Sequence, residues 1–461
     1  MSPLDSGKSI SRRRFLQASG ALAAAGTASW GGVFTFATLD EVKAQPSAGP
    51  SGETKITKSF CHQCPARCGI DVYTTDGRVH AIYGTLDNPL SNGKLCPKGH
   101  YGQYLLYDPD RIKGPMKRTN PNKGRGEDPG FVPITWDEAL DTLAGRLNTL
   151  RDKGESHRFA TLTGRGWGYT DVGLLKEFGA LYGTPNYNLG HSSMCSDASE
   201  TVKHLMDGHH AYSAYDYANC NYLLVFGAGF LESFRPFNAN MQNWGKMRTK
   251  SPRTKVTVVD VHLNTTGAAA DRLLLIEPGR DGALALALAH VILSEGLWDR
   301  GFVGDFIEPD LRFEGGRDIP PDTFEEKWTY GLVEWWNMEV KDRTPQWAAG
   351  ITGIPAQEII AVAREFATTK PAVALFERGA SAHTNGVYKG MGLHALNALT
   401  GNMFAKGGLR GYQMKTAWAK LPINHEDYLD DYAKSPDRET PRIDKAKTER
   451  WPLVKNMMQE I

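Results

Sequence analysis

The chain has 461 residues, enough for about three domains at roughly 150 residues each. With 41% hydrophobic and 23% charged residues it is a folding sequence, which excludes wholesale disorder. The 53 basic and 52 acidic residues leave a net charge of +1, so nucleic acid is not an expected partner, and six cysteines are too few for a disulfide scaffold.

The chain opens with Ser11-Arg12-Arg13-Arg14-Phe15-Leu16, followed by an uncharged Ala/Gly/Ser/Thr-rich stretch from Gln17 to Leu39. Val42-Lys43-Ala44 then offers a cleavage site before Gln45. Paired arginines ahead of Phe-Leu resemble a twin-arginine export signal over residues 1–44, implying delivery of a folded protein to the periplasm. An N-terminal membrane anchor is the alternative, since the stretch is long enough to span, but it is poor in leucine and isoleucine.

Pro46–Glu53 is a small-residue linker, and Lys55–Asp110 a cysteine- and glycine-rich module of short strands and turns. Within it Cys61-x2-Cys64-x3-Cys68 is followed after 27 residues by Cys96. Three thiolates on one loop can take three corners of a cuboidal iron–sulfur cluster, and a distant fourth closes the last. A zinc site and two disulfides are the alternatives; zinc favours paired Cys-x2-Cys knuckles, and the second half here has a single cysteine.

Downstream, Thr135 and Glu138 form a capping-box pattern ahead of a helix with Leu140, Leu143, Leu147 and Leu150 at helical spacing. Strands are expected at Phe159–Thr163, Asn221–Phe226, Lys255–Asp260 and Pro371–Phe376. Helices are expected at Val172–Tyr182, Ala198–Met206, Ala283–Leu293, Pro355–Thr368 and Asn385–Thr400. Apolar runs alternating with helices mean α/β organisation with parallel sheet, whose ligands sit at the carboxyl ends of the strands. The run Gly282–Leu293 is too short to span a membrane and reads as a buried helix. Cys195 sits in a polar loop before a helix, where a thiolate is stabilised, whereas Cys220 opens an apolar strand and reads as core.

The four-cysteine spacing ending in Cys96-Pro97-Lys98-Gly99, with Thr135-Trp136-Asp137-Glu138-Ala139-Leu140, resembles the molybdopterin oxidoreductase family, the dimethyl sulfoxide reductase superfamily. The resemblance runs from about Lys55 to about Leu409. It implies a 4Fe-4S cluster on Cys61, Cys64, Cys68 and Cys96, and molybdenum or tungsten on two molybdopterin guanine dinucleotides. Lys98 would bridge cluster and pterin. Cys195 would be the metal's protein ligand, with His191 beside it as a proton donor or as a structural residue. Gly227, Gly229, Asp260 and Asp281 would line one dinucleotide cradle; Asp281 also suits a helix N-cap. Gly379, Gly401, Asn402, Gly407 and Gly408 sit in segments resembling the second. Gly229 stands where the family usually has Asn, and Val261-His262 where it has Pro-Arg.

The expected fold is α/β: a small iron–sulfur module over residues 54–115, then interleaved Rossmann-like domains. One is discontinuous, residues 116–190 and 351–414; the other, residues 191–350, holds the metal-ligand loop. A polar tail over residues 415–461 stands where relatives continue into a pterin-closing domain, and a second polypeptide could supply that part. The implied function is a polysulfide- or thiosulfate-reductase-like catalytic subunit, moving two electrons to or from an inorganic sulfur compound. Its expected partners are a ferredoxin-like iron–sulfur subunit and a quinone-linked membrane anchor. Tetrathionate, arsenate and formate are further substrates left open. The alternative is a non-catalytic electron-transfer or assembly fragment holding only the cluster.

Overall fold

A computed structural model describes residues 52–64, 66–162, 174–187, 195–412 and 429–431. The export signal expected over residues 1–44, most of the expected tail and His191 lie outside the described residues. Two compact units are distinguished. One comprises residues up to Lys55 together with Thr74–Val79; in it Gly77 turns the chain at a φ of +76°, and Thr54 Oγ1 and Thr75 Oγ1 are 2.8 Å apart. The other, Ile56–Tyr73 with His80–Ile461, carries the described candidate residues.

The cysteine-rich module contains three strands, β1 (Thr54–Phe60), β2 (Gly69–Thr75) and β3 (Arg78–Gly84), in that order in one sheet. The short helix α1 (Pro97–His100) follows Cys96, with proline at its first position where no backbone donor is needed. Helix α2 (Trp136–Asp152) starts as its sequence requires: Thr135 Oγ1 accepts the Glu138 N–H at 3.1 Å. The reciprocal half of the expected capping box gives way to an ion pair, because Lys117 Nζ takes the Glu138 carboxylate at 3.0 Å. Of its leucine stripe Leu147 is buried, while Leu140 and Leu143 are exposed.

The main sheet has four parallel strands, β4 (Tyr222–Phe226), β5 (Lys255–Asp260), β6 (Arg272–Leu275) and β7 (Ala372–Phe376), in the order β7–β4–β5–β6. Phe226 lies opposite both Phe376 and Val259. The first three strands step one way across the sheet; β7 returns to the other side of β4. That reversal makes the carboxyl ends of β4 and β7 a topological switch point, the usual seat of ligands in open α/β sheets. The sheet crosses the boundary expected at residue 350, because β7 and β4 are both wholly apolar and buried and pair directly. Phe159–Leu162, part of an expected strand, is not a strand of this sheet.

Further helices include α3 (Asp197–Asp207), α4 (Phe237–Thr249), α5 (Asp281–Ser294), α6 (Ala356–Thr368) and α7 (Gly386–Leu399). Alternate residues of the strands point to opposite faces. Tyr222, Leu224 and Phe226 pack in one core with α5, α6 and α7. Leu223, Val225, Val256 and Val258 pack in a second core with Met247 of α4. Helix α5 is apolar all round because it is buried from Leu284 to Leu293. Among the described residues, no helix is long and apolar enough to cross a membrane.

Candidate functional site

The four cysteines of the N-terminal module are brought together. The Cys61 N–H donates to Cys68 O at 2.8 Å, closing the loop that carries Cys64. Cys96 caps α1 in an extended conformation, with the Gly99 and His100 N–H groups donating back to its carbonyl. All four thiols are free, as are Cys195 and Cys220, so the disulfide alternative does not hold. Burial pushes the Cys61 and Cys68 thiols up, and repulsion from Cys64 and Cys96 adds to it. Thiolates gathered in this way need a cationic centre to neutralise them. Among the described residues no three His, Cys, Asp or Glu side chains stand close enough to share a single metal ion. A four-iron cluster instead offers each thiolate its own iron, and the arrangement fits it.

The second cluster of candidates lies at the carboxyl ends of the main sheet. Gly227 follows β4 at a φ of +53° and packs backbone to backbone against Gly379, which follows β7; a Cβ on Gly379 would lie 1.9 Å from Gly227 O. The close approach these glycines permit is therefore first of all between the two loops of the switch point. Gly229 lies near Ser233, whose Oγ would be 3.0 Å from a Cβ there. Asp260 ends β5 and shapes its own loop, accepting from Val261 N at 2.7 Å and Asn264 Nδ2 at 2.8 Å. Asp281 is the first residue of α5 and is buried; Arg280, not Asp281, is the N-cap. Burial raises its carboxyl pKa, with Lys389 of α7 opposing. Burial in turn lowers the Lys389 ammonium, whose Nζ donates to Gly279 O at 3.4 Å. Lys98 is exposed on α1, two residues after Cys96.

Cys195 is half-buried, two residues before α3. Ser196 donates to Glu200 Oε1 at 3.0 Å and accepts from the Tyr212 hydroxyl. One turn further, Ser199 Oγ donates to Glu377 Oε2 at 2.7 Å, and Lys203 Nζ donates to Glu377 Oε1 at 3.0 Å. Glu377 directly follows β7, and the Lys203 and Glu377 side chains are 0% and 5% exposed. A buried ion pair thus ties the helix after Cys195 to the switch point. Cys220 is the contrast: fully buried, its Sγ donating to Tyr217 O at 3.2 Å, its thiol pushed up to about 12 by burial.

Comparison with known proteins agrees with this arrangement. The family model for the molybdopterin oxidoreductase Fe4S4 domain matches residues 54–108, and that for molybdopterin oxidoreductase matches residues 111–440. The chain belongs to the molybdopterin oxidoreductase family. It is 40% identical over 406 residues to the molybdopterin-containing subunit of an arsenate respiratory reductase from Shewanella sp. (strain ANA-3), covering 87% of this chain and 46% of that protein. It is 30% identical over 412 residues to that of a thiosulfate reductase from Salmonella typhimurium, covering 89% and 48%. The fold is similar to acetylene hydratase from Pelobacter acetylenicus, with a TM-score of 0.59, 22% identity and coverage of 76% and 44%. The chain spans about half the length of the curated relatives it matches. Membership brings a 4Fe-4S cluster and molybdenum bis(molybdopterin guanine dinucleotide) as cofactors.

Two features of the site escaped the sequence reading. The Lys203–Glu377 pair carried one signal, an acid placed directly after the apolar run Pro371–Phe376. Lys389 carried none, since a lysine in a helix is ordinarily solvated.

Proposed function

We propose that this chain is the molybdenum-bearing part of an oxidoreductase that reduces an inorganic oxyanion or polysulfide by two electrons, with arsenate ahead of thiosulfate and polysulfide. The observation that carries the reading is a free, half-buried Cys195 at the start of α3, braced by Lys203–Glu377 at the switch point. A free thiol in a polar loop ahead of a helix suits a metal ligand. The bound molybdenum supplies two-electron redox chemistry, with or without atom transfer. Asp281 offers a buried acceptor to the N–H groups of a guanine, Lys389 a cation for the pyrophosphate, and Gly227, Gly229 and Asp260 the strand-end loops around it. Cys61, Cys64, Cys68 and Cys96 would hold the cluster, and Lys98 would supply a cation between cluster and pterin. That cluster would supply one-electron relay between the molybdenum and a ferredoxin-like subunit with its quinone-linked membrane anchor, and His191 would serve as the proton donor. A twin-arginine signal delivers the protein to the periplasm.

Placing arsenate first revises the preference for sulfur compounds drawn from sequence. It rests on 40% and 37% identity to two arsenate respiratory reductases, against 30% to the thiosulfate reductase. The test is oxidation of a reduced viologen by the purified native enzyme with arsenate, thiosulfate or polysulfide, alongside molybdenum and iron analysis. Arsenate turnover with about one molybdenum per chain supports the proposal. Turnover of a sulfur compound alone returns the substrate to that class. Iron without molybdenum and without turnover establishes the cluster-only alternative.

A further inference from the structure

Helix α4 does more than cover the sheet. Its first two turns reach into the four-cysteine module through Asn238 and Gln242, four residues apart and so on one helix face. Gln242 Nε2 donates to Ser91 O at 3.1 Å, and Asn92 Nδ2 donates to Gln242 Oε1 at 3.3 Å. Those contacts hold only backbone and surface groups of the loop leading to Cys96. Asn238 is different. It is 8% exposed, and its Nδ2 donates to Lys94 O at 2.5 Å and to Cys68 Sγ at 3.8 Å. An amide nitrogen carries two hydrogens, and each has an acceptor. Cys68 is itself buried at 7% exposure, so the N–H···S contact is shielded from water.

We propose that Asn238 sets the reduction potential of the iron–sulfur cluster by donating a hydrogen bond to the Cys68 sulfur. The inference rests on the cluster being held by these four cysteines. Reduction adds one electron, and so one negative charge, which spreads onto the cysteine sulfurs. A fixed donor stabilises the reduced form more than the oxidised form and raises the potential. Burial magnifies the effect, because a hydrogen bond is electrostatically stronger where water is excluded. Asn238 is therefore a tuning residue contributed by the α/β domain, outside the segment that supplies the ligands. It also makes the potential depend on how well α4 is seated on the cysteine loop.

The experiment is a dithionite titration of the full chain carrying its cluster, followed by absorbance and low-temperature EPR, with iron content measured for each variant. Asn238→Leu removes both donors; it should keep its iron and shift the one-electron equilibrium about tenfold toward the oxidised form, a fall of about 59 mV. Asn238→Asp, close to asparagine in size, should fall further, since it donates nothing and adds a negative charge. It decides the matter if the leucine variant loses iron. Gln242→Leu breaks the neighbouring clamp without touching sulfur and should leave the potential in place. An iron-loaded Asn238 variant at the wild-type potential overturns the proposal, as does a Gln242→Leu shift of equal size. A wild-type chain that binds no iron overturns the cluster reading itself.

Discussion

The brace behind Cys195 lends itself to a quantitative test. Lys203 and Glu377 meet at 3.0 Å with 0% and 5% exposure, and Lys203 Nζ also lies 4.5 Å from the centre of the Phe376 ring. Replacing Lys203 with Met keeps the volume but strands the Glu377 carboxylate in the core with Ser199 as its remaining side-chain donor. Removing one partner of such a pair costs about 3–5 kcal/mol, because the charge left behind is uncompensated. Against a total stability of about 5–15 kcal/mol, that is a large share. The double variant Lys203→Met, Glu377→Gln leaves no buried charge, and the amide introduced in place of Glu377 can still accept from Ser199. It should therefore lose less than either single variant, with a coupling energy of at least about 2 kcal/mol in a double-mutant cycle. Urea denaturation of the purified chain measures all four corners. Alkylation of Cys195, mapped by mass spectrometry, should rise in the single variants as α3 loosens and return toward wild type in the double. A Lys203→Met variant within about 1 kcal/mol of wild type, or two single effects that simply add, would refute the reasoning.

Cys195→Ala should leave urea stability nearly unchanged and abolish molybdenum retention, whereas Cys220→Ala should cost on the order of 1 kcal/mol and retain the metal; metal analysis and denaturation separate the two. Gly379→Ala should destabilise by about 1–3 kcal/mol or more, since its Cβ would sit 1.9 Å from Gly227 O and backbone must move; a melting temperature equal to wild type would contradict the contact. Burial would raise Asp271 and Glu365, but the Arg248 and Arg253 partners of Asp271, and the Lys255 and Arg272 partners of Glu365, outweigh it and hold both below their ordinary values. Because the folded-state values are depressed, this stabilisation is present above the unfolded values near pH 4 and lost as pH falls through the folded ones. The melting temperature should be flat from about pH 7 to 5 and fall below about pH 4; a rise on acidification would contradict the pairing.

Legibility in the sequence followed the range of the interactions. The strands at Tyr222–Phe226 and Ala372–Phe376 were visible because a strand buried on both faces is apolar throughout, and Lys255–Asp260 because its β-branched run Val256–Val259 is bounded by charged ends. The cysteine module was visible because ligand spacing is local. The pairing of β7 beside β4 was not: it joins segments about 150 residues apart, and nothing in either run names its neighbour. The Glu138 half of the capping box was lost to Lys117, a competitor that only the fold brings near. The glycines at 227 and 379 were visible as glycines, but their reason, contact with each other, belongs to the switch point. Asp281 looked equally suited to capping α5 and to binding a ligand; Arg280 takes the capping position and leaves Asp281 buried.

These long-range contacts share a direction. Asn238 ties the cysteine module to α4, which packs on one face of the main sheet, while Lys203 and Glu377 tie α3 to the carboxyl end of β7 in the same sheet. Tyr212, whose hydroxyl bonds to Ser196 beside Cys195, lies under the Arg235 guanidinium at 3.9 Å, and Arg235 stands three residues before Asn238. The cluster side and the Cys195 side are thus both referenced to the β7–β4 pair, one from each helix layer. Electron transfer between two centres demands a fixed separation more than a particular contact. A parallel sheet with both faces buried supplies it, because its strands cannot slide without exposing a whole apolar face. With Cys195 as the proposed molybdenum ligand, the most sensitive positions between the two sides are not the exposed loop residues but Asn238, Arg235 and Glu377, which pin the cysteine module and the Cys195 helix to the sheet.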